Sequence, residues 1–412
     1  MLTINNTCLG KYLHLIVLTG LFSGYVYSPA FAGTGTIKAI TQQLSTPAGR
    51  VEISIPKGYT LDLLSSNLRS PRLINFAENG DLFIGSRSGA VYRLQPPYTE
   101  ADILVSLNDY PHSVALRQGE MFIAQTHGLY RAPYLPGQDR IKQQDLQLVA
   151  KLPGGPGHNS RTVRIGPDGK VYVSLGIAGN CSDQYLDPSY PFEDRRGGVL
   201  VLDESQLRPV FRTFASGLRN PVGFDWQPDT DIMYASNNGP DHLGYEQPPE
   251  YFSKLIPQSF HGMPWFWFDG TKMVRDHCVG STPPRIDANP PVATFPARNA
   301  PMAVAFVPNG AMDERFRGDA IVALHGSWAT QPTGGFSGEP KSRREPKLVV
   351  VRFEDGQAVR VDDLLTGFQS SNGDRWARPV GVAIGPDGAL YFTSDSGLEG
   401  LFRLRRNGLN SL

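Results

Sequence analysis

Val163-Arg164-Ile165-Gly166-Pro167-Asp168-Gly169-Lys170-Val171-Tyr172-Val173 reads as two extended apolar stretches joined by a tight turn. The same phrase returns at residues 382–392 around Gly385-Pro386-Asp387-Gly388. Four looser copies begin at Ile74, Val114, Phe224 and Val304, turning at Asn79-Gly80-Asp81, Gln118-Gly119, Pro228-Asp229 and Pro308-Asn309-Gly310. Further strand-like stretches follow several of them, at 91–94, 129–131, 199–202, 348–353 and 401–404. The strands keep their length while the spacing between copies grows along the chain. A solenoid would hold a fixed period; blades carrying insertions would not. The sequence therefore predicts an all-β fold, a six-bladed β-propeller of four-stranded antiparallel blades, as one domain over residues 51–406. Residues 51–64 are expected to supply a strand to the last blade, closing the ring so that no long sheet edge is exposed.

The ends of the chain bear on compartment. Lys11 precedes an apolar run over residues 13–27, and Ala30-Phe31-Ala32 follows. This is the pattern of a secretory signal, expected to cover residues 1–32, with an uncleaved anchor as the alternative. A linker over 33–50 and a short tail over 407–412 complete the expected organisation. After cleavage no apolar stretch reaches membrane-spanning length, so a periplasmic or secreted protein is expected. Cys8 falls inside the signal, which leaves Cys181 and Cys278. A single pair in an oxidising compartment is expected to be bonded, although the sequence leaves their approach open.

Lys plus Arg and Asp plus Glu both number 39. That balance lacks the clustered positive charge by which a nucleic-acid binder is recognised. The one basic cluster, Lys341-Ser342-Arg343-Arg344, lies between Gly- and Pro-rich stretches and reads as a solvated loop.

Four stretches contain more than strands and turns need: Gly154-Gly155-Pro156-Gly157-His158-Asn159-Ser160-Arg161, Gly217-Leu218-Arg219-Asn220-Pro221-Val222-Gly223, Asn237-Asn238-Gly239-Pro240-Asp241, and His325-Gly326-Ser327-Trp328 with Arg375-Trp376-Ala377-Arg378-Pro379. Each flanks a repeat copy, and loops in equivalent positions open on one face of a propeller.

In these motifs, taken in order from about residue 55 to 404, the chain resembles the soluble pyrroloquinoline-quinone-dependent sugar dehydrogenases, especially their sorbosone dehydrogenase-like branch. The resemblance implies oxidation of a sugar or related alcohol or aldehyde, with electrons passing to an unidentified acceptor. It implies that His158 is the general base, with Arg219 and Asn220 beside the quinone carbonyl and substrate. It also implies that Arg378 and Arg375 hold cofactor carboxylates, that His325 contacts the cofactor, and that Gly239 and Pro240 offer backbone oxygens to a calcium ion. The residue types suit those tasks. An imidazole titrates near neutrality, a guanidinium matches a carboxylate, and calcium prefers oxygen ligands.

The chain departs from the glucose-oxidising members at two positions. His325 stands where they carry a Lys, and Ile177 where they carry an Asp near the catalytic His. An isoleucine side chain cannot orient an imidazole, so either Asp183 or Asp187 does so or the base works less well. On this reading the pH profile rises near the free imidazole value of about 6.5. A calcium-dependent lactonase, using Asn220 and Asp395, and a non-catalytic recognition propeller are the alternatives.

Overall fold

The repeated phrase becomes the two inner strands of each of six sheets. The structure, a computed structural model, describes residues 36–408. The expected signal segment lies outside the described residues, as do residues 409–412. Blade 1 comprises Pro71–Phe76, Leu82–Ser86, Ala90–Leu94 and Ala101–Ser106, and blade 2 Ser113–Arg117, Glu120–Gln125, Gly128–Pro133 and Gln147–Lys151. Blade 3 comprises Arg161–Ile165, Val171–Leu175, Gly198–Asp203 and Val210–Ser216, and blade 4 Phe224–Trp226, Met233–Asn237, Glu250–Leu255 and Ala293–Phe295. Blade 5 is built from Pro301–Phe306, Ala320–Leu324, Lys347–Glu354 and Gln357–Leu365. Blade 6 takes Ala377–Ile384, Leu390–Gly397 and Gly400–Arg406 from the end of the chain and Tyr59–Ser65 from near its beginning.

That last pairing closes the ring. Tyr59 lies opposite Arg406 and Ser65 opposite Leu401. Residues 49–56, expected in part to belong to the same strand, instead pair with Ala39–Thr46 in a separate hairpin. The stretch expected as a linker thus carries a strand. The hairpin is held through the Ser54 and Thr366 backbones, which exchange bonds of 2.9 and 3.2 Å. Leu44, Ile53 and Ile55 bury against the core of blades 5 and 6.

The two best copies fold alike. Gly169 and Gly388 adopt φ of +75° and +72°, which L side chains rarely reach. Asp168 and Asp387 each accept a backbone N–H two residues on and a Tyr hydroxyl, from Tyr172 and Tyr391. Neighbouring blades are stitched by short polar side chains near the ring's centre. Asn75 donates to Val114 (3.0 Å), Ser113 to Arg161 (3.0 Å), and Thr393 to Arg72 (2.6 Å), each on the carbonyl. Thr162 bonds the Val222 carbonyl and Ser236 that of Met302 in the same way. Around this ring, aliphatic and aromatic side chains fill the spaces between sheets.

In every blade the first strand starts, and the second ends, on the same face. Residues just before a first strand and just after a second strand therefore meet around one opening. The growing spacing also has a structural reason. Blade 4's insertion includes the small hairpin Phe266–Phe268 with Met273–Arg275, and lends Ser259–Phe260 to the edge of blade 3 in parallel. The structure pairs Cys181 with Cys278, their Cα atoms 5.3 Å apart, tying this insertion to the loop after blade 3's second strand. No helix among the described residues is long and apolar enough to cross a membrane.

Candidate active site

A cavity of about 390 Å³ opens where those strand ends meet. His158, Arg219, Asn220, Gly239, His325 and Arg378 all line it, together with Trp328. Four of the sequence's loops thus converge as expected. Arg375 does not line the cavity: its Nε bonds Gln369 Oε1 at 2.7 Å and its Nη2 the Arg344 carbonyl at 2.9 Å, a tie between loops. Pro240 is likewise absent from the wall, and its carbonyl accepts from Arg298 Nη1.

His158 is partly buried, and its Nδ1 lies 2.5 Å from the carbonyl oxygen of Ile177. A carbonyl can only accept, so Nδ1 carries the proton and Nε2 keeps its lone pair. The isoleucine at this position orients the ring after all, through its backbone. Asp183 and Asp187 do not take part, since their carboxylates accept from Tyr190, Ser281 and Ser189. Burial, then the positive charge of Arg219, push His158 down to about 4, against the pull of the Ile177 bond and Asp241. The ring is neutral at physiological pH, and the expected rise near 6.5 moves to lower pH.

Space around His158 is tight. A Cβ on Gly157 would lie 1.7 Å from the Ala178 carbonyl oxygen. One on Gly176 would lie 2.6 Å from His158 Cβ and 2.7 Å from Asn220 Oδ1, which places His158 and Asn220 against the same strand end. The Arg219 carbonyl accepts the Ile177 N–H at 2.8 Å, locking blade 4's loop to blade 3's.

Arg219 is buried, and Nη2 bonds Asn180 Oδ1 at 2.6 Å and Asp241 Oδ2 at 2.9 Å. Its Nε is buried without a protein partner. Asn180 Oδ1 also accepts the Asp241 N–H at 3.0 Å, and Asn180 adjoins the bonded Cys181. The adjacent insertion is further tied by His242 Nε2, 3.0 Å from Asp276 Oδ2.

Glu250, wholly buried, accepts the Gly239 N–H. Burial raises its carboxyl to about 7, overcoming that bond and the nearby Arg298 and Arg219. Arg298 Nη1 also donates to Asp241 Oδ1 at 3.0 Å, and its Nε to the Gly244 carbonyl at 2.9 Å.

His325 is held differently from His158. Its Nε2 lies 2.7 Å from Asp395 Oδ1, while Arg72 bonds the other carboxylate oxygen. Burial lowers His325 to about 4 despite Asp395. Burial alone would raise Asp395, but His325 and Arg72 hold it well below the usual carboxylate range. The pair is a carboxylate and a neutral imidazole, so His325 does not carry the charge of the Lys it stands in place of. Asp395, a candidate for the lactonase alternative, is committed to two partners. Arg378 donates to the carbonyls of His325 and Gly326, both at 2.9 Å.

Five guanidinium groups line the cavity (Arg72, Arg87, Arg219, Arg298 and Arg378) against the carboxyl groups of Asp241, Glu250 and Asp395. The sequence reading missed Arg72, Arg87, Arg298 and Glu250. Arg72 carried a signal, since it opens a first strand beside a proline as Arg378 does.

A family model described as TrAA12-like matches residues 53–250 and 262–406 of the chain. A Trichoderma reesei structure described as Carbohydrate-Active Enzymes Family AA12 superposes with a TM-score of 0.71 at 20% identity, covering 89% of this chain and 99% of that one. The holo form of a pyranose dehydrogenase PQQ domain from Coprinopsis cinerea gives a TM-score of 0.69 at 19% identity, covering 88% and 100%. An uncharacterized protein of Borreliella burgdorferi is 23% identical over 362 residues, 84% of this chain and 89% of its own.

Proposed function

The chain belongs to the TrAA12-like family, and on that premise we propose that it is a pyrroloquinoline-quinone- and calcium-dependent dehydrogenase of a sugar or related alcohol or aldehyde, aldose or sorbosone-like, with His158 as general base. The observation that carries this reading is a neutral imidazole whose Nδ1 faces the Ile177 carbonyl, leaving Nε2 as the acceptor, in a cavity with five guanidinium groups. The name of the Coprinopsis cinerea domain supports the same chemistry.

The cavity suits a tricarboxylate. Its guanidinium groups outnumber its carboxyl groups, and the Nε atoms of Arg72 and Arg219 are buried without protein partners. Arg72, Arg219 and Arg378 would hold the cofactor, with Arg219 and Asn220 next to its reacting carbonyl; Arg375 has no part in this. A hard dication suits the other wall, where oxygen donors gather. Gly239 lines that wall and would offer its carbonyl to calcium, whereas the Pro240 carbonyl, off the wall and bonded by Arg298, would have to turn toward the ion to join it. Asp241 supplies nearby negative charge.

Bound quinone would supply the hydride acceptor, with calcium polarising it as a Lewis acid. The protein's own task is the proton. Nε2 of His158 accepts it from the substrate hydroxyl, and the Ile177 carbonyl stabilises the imidazolium that results. A depressed proton affinity keeps the base free over a wide pH range, at some loss of driving force for each transfer.

Purified protein loaded with pyrroloquinoline quinone and calcium should reduce a dye when given an aldose and alcohol panel, and chelation should abolish cofactor binding until calcium is restored. Protein that fails to bind the quinone with calcium present contradicts the proposal.

A further inference from the structure

The loop carrying His158 is wrapped around two buried guanidinium groups. Arg161 is fully buried and donates to the carbonyls of His158 (2.9 Å), Ser160 (2.8 Å) and Pro153 (2.6 Å). Arg196, 1% exposed, donates from Nε to Gly176 (2.7 Å), from Nη1 to Gly154 and Pro156 (both 3.0 Å), and from Nη2 to His158 (2.8 Å), again on carbonyls. Both cations therefore meet on the carbonyl of His158. Among the described residues neither forms a salt bridge, and the carboxylates that act on them, Asp109 and Asp194, do so from a distance.

Burial lowers Arg161 to about 9 and Arg196 to about 10, so both remain charged at neutral pH. A buried charge without a counter-ion is a costly way to fill a core. Six carbonyl dipoles are what offset that cost here, and all six belong to the loop 153–160 or to Gly176. Only a planar fork can gather carbonyls from several directions at fixed angles, which a lysine cannot do.

We propose that Arg161 and Arg196 are positioning residues for His158: by drawing six carbonyls onto two planar forks they fix its backbone, and with it the direction in which Nε2 faces the cavity. The charged groups acting on the ring are Arg219, Asp241 and Arg196, and the Ile177 carbonyl bonds it. Removing Arg196's charge therefore favours the protonated ring, whereas substituting lysine keeps the charge and loses the fork.

The inference rests on His158 being the base, so its test reads the ring directly, in protein without cofactor. Ring ¹⁵N resonances of His158, assigned by their loss in His158→Gln, are followed against pH in the wild type, Arg196→Gln, Arg196→Lys and Arg161→Lys. The wild-type ring should stay in the Nδ1–H form through neutral pH. Arg196→Gln should move its titration upward, and both lysine variants should lose the single tautomer without a comparable move. In the loaded enzyme each variant should lose turnover by roughly 10–100-fold, by analogy with the groups that orient metal ligands, with KM little changed. If Arg196→Gln does not fold, the lysine variants carry the test. Folded variants with a wild-type His158 ring and turnover falling only with thermal stability would overturn the proposal. Ring changes as expected in a protein whose His158→Ala keeps full turnover would leave the positioning intact and remove the base assignment.

Discussion

His158 and His325 face the same cavity from different blades, and burial leaves both neutral, near a pKa of 4. Their partners set them apart. His158 gives its Nδ1 proton to a backbone carbonyl, which leaves Nε2 as a lone-pair acceptor. His325 turns Nε2 to Asp395, whose other oxygen takes Arg72, so the lone pair of this neutral ring sits on Nδ1. The first arrangement is the one proposed as a base, and the second ties blades 5, 6 and 1 together through Asp395 and Arg72. Residue type and burial are alike at both places; the ring nitrogen engaged, and whether a carbonyl or a carboxylate engages it, set them apart.

The largest expected difference between the two is in turnover. His158→Ala should lower kcat by about 10²–10⁴-fold while pyrroloquinoline quinone still binds, as a fluorescence or equilibrium-dialysis titration would record. Arg219→Ala should come next, at about 10²-fold in kcat, and should also weaken cofactor retention because it removes one of the guanidinium groups that line the cavity. His325→Gln should change kcat only a few-fold. An equal loss at His325 and His158 would erase the distinction drawn here.

Stability sharpens the same contrast from the other side. Asp395→Ala removes the partner of buried Arg72 and should cost about 3 kcal/mol or more in thermal or denaturant unfolding, whereas His158→Gln should cost far less. The smallest expected effect is on pH. Both histidines are held below their ordinary value of about 6.5, so between there and about 4 the unfolded chain binds more protons than the folded one. Stability should thus fall as pH drops through that window. Glu250, raised to about 7, works oppositely: its contribution is present at low pH and lost as pH rises through 7. His158→Gln should flatten part of the acid-side loss, and an unchanged melting profile against pH would show that the His158 ring is not held neutral by burial.

Much of the fold was legible because each blade's inner pair is a local event. Val163, Asp168, Gly169 and Tyr172 state strand, turn and strand within a dozen residues, and six such statements count the blades. Ring closure was harder. Residues 49–56 and Tyr59–Ser65 both read as extended, and only long-range pairing assigns the first to a hairpin and the second to blade 6. At the site, His158, Arg219, Asn220 and Arg378 stood out because their neighbours form motifs. Arg72 and Asp395, 323 residues apart, carried no mutual sign in the sequence. Ile177 was misread for a different reason: its side chain has nothing to offer an imidazole, and the group that matters is a carbonyl every residue possesses. Glu250 and Arg298 look like ordinary charges until burial and hydrogen bonding reveal how they surround the Gly239–Asp241 turn.

The central claim is that His158 removes the substrate proton, and single-turnover kinetics test it without regard to the electron acceptor. Enzyme loaded with pyrroloquinoline quinone and calcium is mixed with a sugar that it oxidises, and cofactor reduction is followed by absorbance against pH. The account predicts a wild-type rate constant whose acid limb lies below the free imidazole value of about 6.5, and a rate lowered by about 10²–10⁴-fold in His158→Ala at equal cofactor loading. A His158→Ala enzyme that reduces its bound cofactor at the wild-type rate would contradict it.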